Sequence, residues 1–222
     1  STKKTAQGNY PLLNKIFECS LKNLFFNIIL TMKIVLTGFM GTGKTSVGRE
    51  LSRRLGYQFI DTDALIVERE RMQISLIFKE KGEKYFRTVE RAVVEEVSQK
   101  NNVVIATGGG VIKNKDNVND LCRKGIIIWL KAEPGTILKR VMLEEGKRPL
   151  LDVAEPIDEI KKLLSEREEF YVRSDISINT DFITAGETAE EIIKKAGLDM
   201  QSVRVELKER SYEILIGKKV LQ

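Results

Sequence analysis

Histidine is absent from this chain of 222 residues, which removes imidazole general acid–base catalysis and the Ser-His-Asp triad from consideration. Cysteine is scarce. Cys19 and Cys122 lie far apart with no metal-ligand spacing, a usage that fits unpaired thiols in a reducing compartment. No uninterrupted run of about 20 apolar residues exists to cross a bilayer. The one candidate stretch, Leu21 to Leu36, is broken by Lys22, Asn23, Asn27, Thr31 and Lys33. It also has no small-residue cleavage site before the next strand, so it does not read as a signal peptide. A cytoplasmic chain with no membrane partner is expected. Net charge is missing where it would matter most: of the formal +5, residues 1–31 carry +3 and residues 200–222 carry +2, which leaves residues 32–199 neutral. A neutral domain offers no electrostatic footprint for nucleic acid.

What is present begins with 42% hydrophobic residues, enough to bury a full core in one main domain with some excess length. The most informative segment is GFMGTGKT, Gly38 to Thr45. It follows the apolar run KIVLT and precedes SVGRELSRRL, whose apolar positions recur at helical spacing. Strand, glycine-rich loop and helix are the context that the phosphate-binding pattern G-x-x-x-x-G-K-[ST] requires. Gly38, Gly41 and Gly43 free the backbone to curl its N–H groups inward at the positive end of a helix dipole. The loop predicts nucleoside triphosphate binding through Gly41, Thr42, Gly43, Lys44, Thr45 and Ser46. In that pattern Lys44 reaches the β and γ phosphates, and the Thr45 hydroxyl ligates Mg²⁺.

Downstream the pattern alternates. QFI (58–60) reads as a short strand ending at Asp61 and Asp63, and helical spacing runs from about Ala64 to Lys100 with an interruption near Gly82. VVIAT (103–107) and GIIIWL (125–130) are continuous apolar strands of the kind buried on both faces of a parallel sheet. Helical spacing returns over 135–144 and 157–171, followed by the strand ISIN (176–179) and a last helix over 188–196. The alternation predicts an α/β domain, with ligands at the carboxyl ends of the strands.

Further candidates for chemistry gather at those ends. If extended backbone persists through Asp61 and Asp63, their carboxylates point in different directions, one toward Mg²⁺ and one toward an acceptor. A carboxylate beside an alcohol can orient it and take its proton. The bland alternative for this pair is a helix N-cap at Thr62 or Asp63. Gly108, Gly109 and Gly110 let a ligand approach bare backbone and offer N–H donors, though a simple turn is equally permitted. Arg87, Arg148 and Arg167 present planar forks suited to carboxylate or phosphate. Arg148 sits in the polar segment GKRPLL between two helices, where a lid could close over phosphates.

The set GFMGTGKTSVG, FIDTD, FRTVE, ATGGG, KRPLL and REEFY resembles, in order and approximate spacing, the motifs of shikimate kinases, and it covers about Met32 to Leu198. The resemblance implies a P-loop NTPase three-layer α/β sandwich with a five-stranded parallel sheet, plus lid and substrate-binding helices. It implies transfer of the γ-phosphate of ATP to the 3-hydroxyl of shikimate, with Mg²⁺ as cofactor. By the same resemblance, Lys44, Asp63 and Arg148 are the catalytic set, and Thr45 and Asp61 hold the metal. Asp63, Arg87, Arg167 and Gly108 to Gly110 bind shikimate. Arg140 is similar in place to the arginine that stacks on adenine, and Arg148 to the lid arginine that meets the transferring phosphoryl group.

Residues 1–31 match no element this fold needs, and they are expected to be a non-core extension ahead of a start at Met32. An ordered helix around 16–30 is the alternative. Residues 200–222 read as a β-hairpin following a complete domain at 32–199. VRVELKERSYEILIGKKVL resembles the opening strands of 3-dehydroquinate synthase, which implies a monomeric kinase domain fused to that enzyme. Competing expectations are another kinase of this fold, acting on gluconate or a nucleotide, and a non-catalytic ligand-sensing module.

Overall fold

The computed structural model describes residues 32–143 and 155–198, together with the backbone of 201–207 and 210–216. Residues 1–31 and 144–154, the latter holding Arg148 and its expected lid, lie outside the described residues. Five strands, β1 (Lys33–Thr37), β2 (Gln58–Asp61), β3 (Val103–Ala106), β4 (Gly125–Lys131) and β5 (Ile176–Asn179), form one sheet in the order β2-β3-β1-β4-β5. Every pairing in it is parallel. β1 and β3 are buried at every position, as the unbroken apolar runs predict for strands covered on both faces.

The pleat divides β1 between two cores. Ile34 and Leu36 face one way and pack with Val47 and Leu51 of helix α1 (Lys44–Leu55) and with Ala189 and Ile192 of α7 (Ala185–Lys195). Val35 faces the other way, onto Ile66 of α2 (Thr62–Glu70), Val93, Val94 and Val97 of α3 (Ile74–Ser98), and Leu121 of α4 (Lys115–Cys122). A third cluster joins the phosphate loop to α5 (Pro134–Leu143) and α6 (Pro156–Tyr171): Phe39, fully buried, packs on Ile137, Val141 and Ile160. The apolar payload of Phe39 thereby anchors the loop to the body of the domain.

The interruption expected near Gly82 is present, since Gly82 adopts φ 81° and ψ 165° inside α3. Three features differ from the sequence reading. The helical stretch after Asp63 is two helices, because Arg71 enters the left-handed region at φ 51° and ends α2. A 3-10 turn (Val111–Lys113) and α4 lie between β3 and β4, where no helix was expected; α4 has only eight residues, too few for periodicity to register. The last helix begins three residues earlier than expected, at a capping box in which Thr184 and Glu187 bond reciprocally.

Residues 201–207 and 210–216 form an antiparallel pair, β6 (Gln201–Leu207) and β7 (Arg210–Ile216), separate from the main sheet. Among the described residues no helix is long and apolar enough to span a membrane.

The α1–β2 contact gives a stability test. A Cβ on buried Gly48 would lie 2.4 Å from a ring carbon of Phe59. Gly48→Val should therefore lower stability by about 1–3 kcal/mol through overpacking, despite the better helix propensity of valine. Chemical denaturation would report it as a lower midpoint at unchanged slope.

Candidate active site

The loop from Gly38 to Gly43 leaves β1 and turns directly into α1. Gly38 stands at φ 142°, where a Cβ would meet the Leu130 carbonyl oxygen at 2.4 Å, so both backbone angle and space demand glycine. α1 starts at Lys44 with no side-chain cap and no acidic residue in its first turn. Its positive end faces the loop with no acidic residue of the helix itself to offset it. Thr42 is buried and donates its hydroxyl to the Phe39 carbonyl at 2.8 Å, which fixes the loop's shape. Ser46 is exposed in the first turn of α1. Lys44 Nζ donates to the Gly38 and Phe39 carbonyls at 2.9 and 2.8 Å, folded across its own loop.

β2 delivers Asp61 to the same place. Its Oδ2 accepts from the Thr45 hydroxyl at 2.9 Å, and its Oδ1 accepts from the N–H groups of Asp63 and Ala64 at 3.1 and 3.2 Å. The N-cap of α2 is thus Asp61 rather than Thr62 or Asp63. Extended backbone does not persist through the pair: Asp63 already lies in the first helical turn. The carboxylates still part company, because Asp63 turns toward Gly108.

Each glycine of the 108–110 run faces a different functional side chain. A Cβ on Gly108 would lie 2.5 Å from Asp63 Oδ1, one on Gly109 3.1 Å from Arg167 Nη1, and one on Gly110 2.7 Å from Arg87 Nη1. A Cβ on Gly109 would also come within 3.5 Å of the Gly38 carbonyl, so this run and the phosphate loop abut. One N–H donor of the run is already engaged within the protein. Gly108 N–H donates to the Thr62 hydroxyl at 3.0 Å.

The two arginines are held from behind. Arg87 donates to Glu90 at 2.9 Å and to Glu83 at 3.0 Å, and Glu90 is only 3% exposed. Burial pushes the Glu90 carboxyl above its ordinary value, against the opposing pull of Arg87 and, more weakly, Arg167. Arg167 lies over the Phe39 ring at 5.2 Å, and its Nε is buried without a hydrogen-bond partner. Tyr171, fully buried, stacks on Trp129 and donates to the Gly109 carbonyl at 2.8 Å. Arg140 is placed apart from this group. It donates to the Gly41 carbonyl at 3.3 Å and to the hydroxyl and carbonyl of Thr180, tying the loop's rim to the end of β5.

Of the described residues predicted from sequence, the phosphate loop, Thr45 and Asp61 thus form one group. Asp63, Arg87, Arg167 and the glycine run form a second, adjoining group, and Arg140 lies at the edge of the first. Glu90 and Tyr171 were missed, although both stand inside quoted motifs: the final Glu of FRTVE follows Arg87 by three residues, and the final Tyr of REEFY follows Arg167 by four. Those helical spacings are the signal that could have found them. Thr180 carries no comparable signal.

Comparison with known proteins gives a consistent assignment. The family model "Shikimate kinase" matches residues 40–197. A shikimate kinase of Caldanaerobacter subterraneus subsp. tengcongensis is 47% identical over 161 residues, 72% of this chain and 94% of that protein. The solved shikimate kinase from Acinetobacter baumannii in complex with shikimate is 35% identical at a TM-score of 0.70, covering 74% of this chain and 92% of that one. A gluconokinase from Sinorhizobium meliloti, 18% identical at a TM-score of 0.51, shares the fold alone.

Gly110 has φ −100° and ψ −11°, which alanine adopts freely, so Gly110→Ala tests the close approach of Arg87 without backbone strain. The acceptor KM should rise by about tenfold, the equivalent of about 1.4 kcal/mol, with kcat and the ATP KM nearly unchanged. Glu90 predicts a pH effect. Its raised pKa means the folded protein binds this proton more tightly than the unfolded chain does. The proton's contribution to stability is full below the unfolded value of 4.5 and is lost as pH rises through the folded value. Glu90→Gln should flatten that decline in thermal unfolding measured from acidic to neutral pH.

Proposed function

Because the chain belongs to the shikimate kinase family, which transfers the γ-phosphoryl group of ATP to the 3-hydroxyl of shikimate, we propose a division of its site into donor and acceptor ends. Gly41 to Ser46 form the donor end. Backbone N–H groups and the start of α1 cradle the phosphates, and Lys44 leaves the loop carbonyls to meet the β and γ phosphates. Arg140 borders the adenine side and Arg148, on the lid, meets the transferring phosphoryl group.

Asp63, Arg87, Arg167 and Gly108 to Gly110 form the acceptor end. Shikimate carries a carboxylate, and the two arginines supply planar cations to clamp it. Asp63 orients the attacking hydroxyl and takes its proton, which a carboxylate can do in a chain without histidine. The observation that carries this reading is the matching of each glycine in the run to one of these three side chains.

The hard oxygen pair of Thr45 and Asp61, 2.9 Å apart, fits Mg²⁺: the Thr45 hydroxyl would ligate the ion and Asp61 would hold it through water. Among the described residues no group of three Cys, Asp or Glu side chains gathers to hold a metal, as suits an ion that takes its other ligands from phosphates and water. When bound, it neutralises charge on the phosphate oxygens.

We assign residues 32–199 to a monomeric, cytoplasmic kinase domain, residues 1–31 to an extension outside its core, and β6–β7 to the start of a fused 3-dehydroquinate synthase domain. The separation of that ribbon from the main sheet supports the last assignment.

A coupled ADP-release assay across shikimate, gluconate and nucleoside monophosphates tests the acceptor reading. Shikimate alone should stimulate release, and stimulation by gluconate or a nucleotide instead would overturn it. Asp63→Asn should lower kcat by about 10²–10⁴. Arg148→Ala should lower turnover by about 10³–10⁵ while weakening shikimate binding far less, and unchanged turnover would remove Arg148 from the mechanism.

A further inference from the structure

Behind the acceptor end, on the face of the sheet opposite α1, lies a cavity of about 220 Å³ that no step of phosphoryl transfer uses. Its apolar surface comes from Ile112 and Ile127, both buried, with Val118 of α4 and Phe170 of α6. Its rim carries the exposed cations Lys115 and Arg173 beside Asn119. Neither cation makes an ion pair among the described residues, and Arg173 only rests over the Phe170 ring at 5.9 Å. Asp116 follows Lys115 and is exposed, and Asp175, two residues after Arg173, accepts from the Ile127 N–H at 2.8 Å. An apolar floor beneath two cations that no ion pair among the described residues engages suits a ring bearing one carboxylate. The volume falls short of the roughly 300 Å³ at which drug-sized sites begin, which limits the occupant to a single ring. The floor offers no hydrogen-bond partners, so ring hydroxyls would be desolvated without return.

We propose that this cavity binds a small aromatic monocarboxylate and adjusts the acceptor end through its occupancy. Two structural links carry the adjustment. α6 carries Arg167 and, three residues on along the same face, Phe170, with Arg173 just past its end, while Ile112 follows Gly110 by two residues. The wall between cavity and site is also under-packed. A second, much smaller void of about 10 Å³ shares Ile112, Val118 and Ile127 with the cavity and reaches Thr37 and Thr107. Those two threonines immediately precede Gly38 and Gly108, and the buried Thr37 hydroxyl has no partner. Close-packed interiors transmit displacement, and a wall with a void behind it has room to yield. An occupant pressing on Ile112 therefore moves the residues that set both glycine loops. The binding stands on the cavity alone; the adjustment rests on the acceptor reading given above.

Trp129, the sole tryptophan, clusters with Ile112, Tyr171 and Phe170 and reports on the cavity by fluorescence. The test titrates the full chain with benzoate, with and without saturating shikimate, and repeats it on the double variant Lys115→Ala/Arg173→Ala. A saturable fluorescence change is expected that persists with shikimate present and weakens at least about tenfold in the double variant, as loss of two charge contacts predicts. The double variant should keep the parent kcat. In steady-state assays benzoate should change the shikimate KM by about fivefold or more, the lower range of site–site coupling. No saturable change, competition by shikimate, or equal affinity in the double variant would each overturn the site. Saturable binding without any change in KM would overturn the adjustment while leaving the acceptor reading intact. A cavity-filling variant, Val118→Phe, gives an independent check: it should abolish the benzoate response and itself shift the shikimate KM.

Discussion

The acceptor end depends on three missing Cβ atoms. Gly108, Gly109 and Gly110 close β3 with bare backbone, and the space left is taken up by Asp63, Arg167 and Arg87 in that order. These three side chains come from three different elements, α2, α6 and α3. Any larger residue in the run would push one away from the others. Convergence of a carboxylate and two guanidinium groups on one short segment would ordinarily cost desolvation and mutual repulsion. Much of that cost is met behind the site: Glu90 balances Arg87, and Phe39 and Tyr171 give Arg167 an aromatic floor and a polar neighbour.

The donor end follows a different logic, in which backbone replaces side chains. An uncapped helix start at Lys44 leaves its first N–H groups without side-chain partners, an arrangement that costs stability in the empty protein. Lys44 offsets part of that cost by folding over the loop carbonyls, and Phe39 offsets more by burying its whole ring beneath the loop. The loop can therefore be preorganised despite that cost. Its shape is set by Thr42, Phe39 and Arg140, none of which needs a ligand in order to hold it.

Much of this was legible in the sequence because the features involved are local. The phosphate loop, the all-buried β1 and β3, and the break at Gly82 each declare themselves within a few residues. The extended backbone expected through Asp61 and Asp63 was not found, yet the two side chains do diverge, Asp61 to the Thr45 hydroxyl and Asp63 toward Gly108. What stayed hidden was tertiary. Glu90 was not singled out, and α3 turns it inward. Tyr171 looked like a helix end until its hydroxyl met the Gly109 carbonyl. Short α4 escaped because eight residues give fewer than three turns of periodicity, and order between β3 and β4 comes from packing on the sheet.

The absence of histidine then becomes intelligible as chemistry. Phosphoryl transfer through a loose transition state asks little of a base, since the acceptor proton departs late and charge accumulates on phosphate oxygens. A site for such a reaction needs cations, oriented N–H groups and exclusion of water more than a group titrating near neutrality. In the role proposed above for Asp63, a carboxylate is an adequate proton acceptor when its main task is orientation. Asp63 lies against bare backbone at Gly108, a placement that limits where it can point. The chain invests in placement, through glycines, buried aromatics and arginines braced from behind, and the proposed reaction asks of Asp63 little more than orientation.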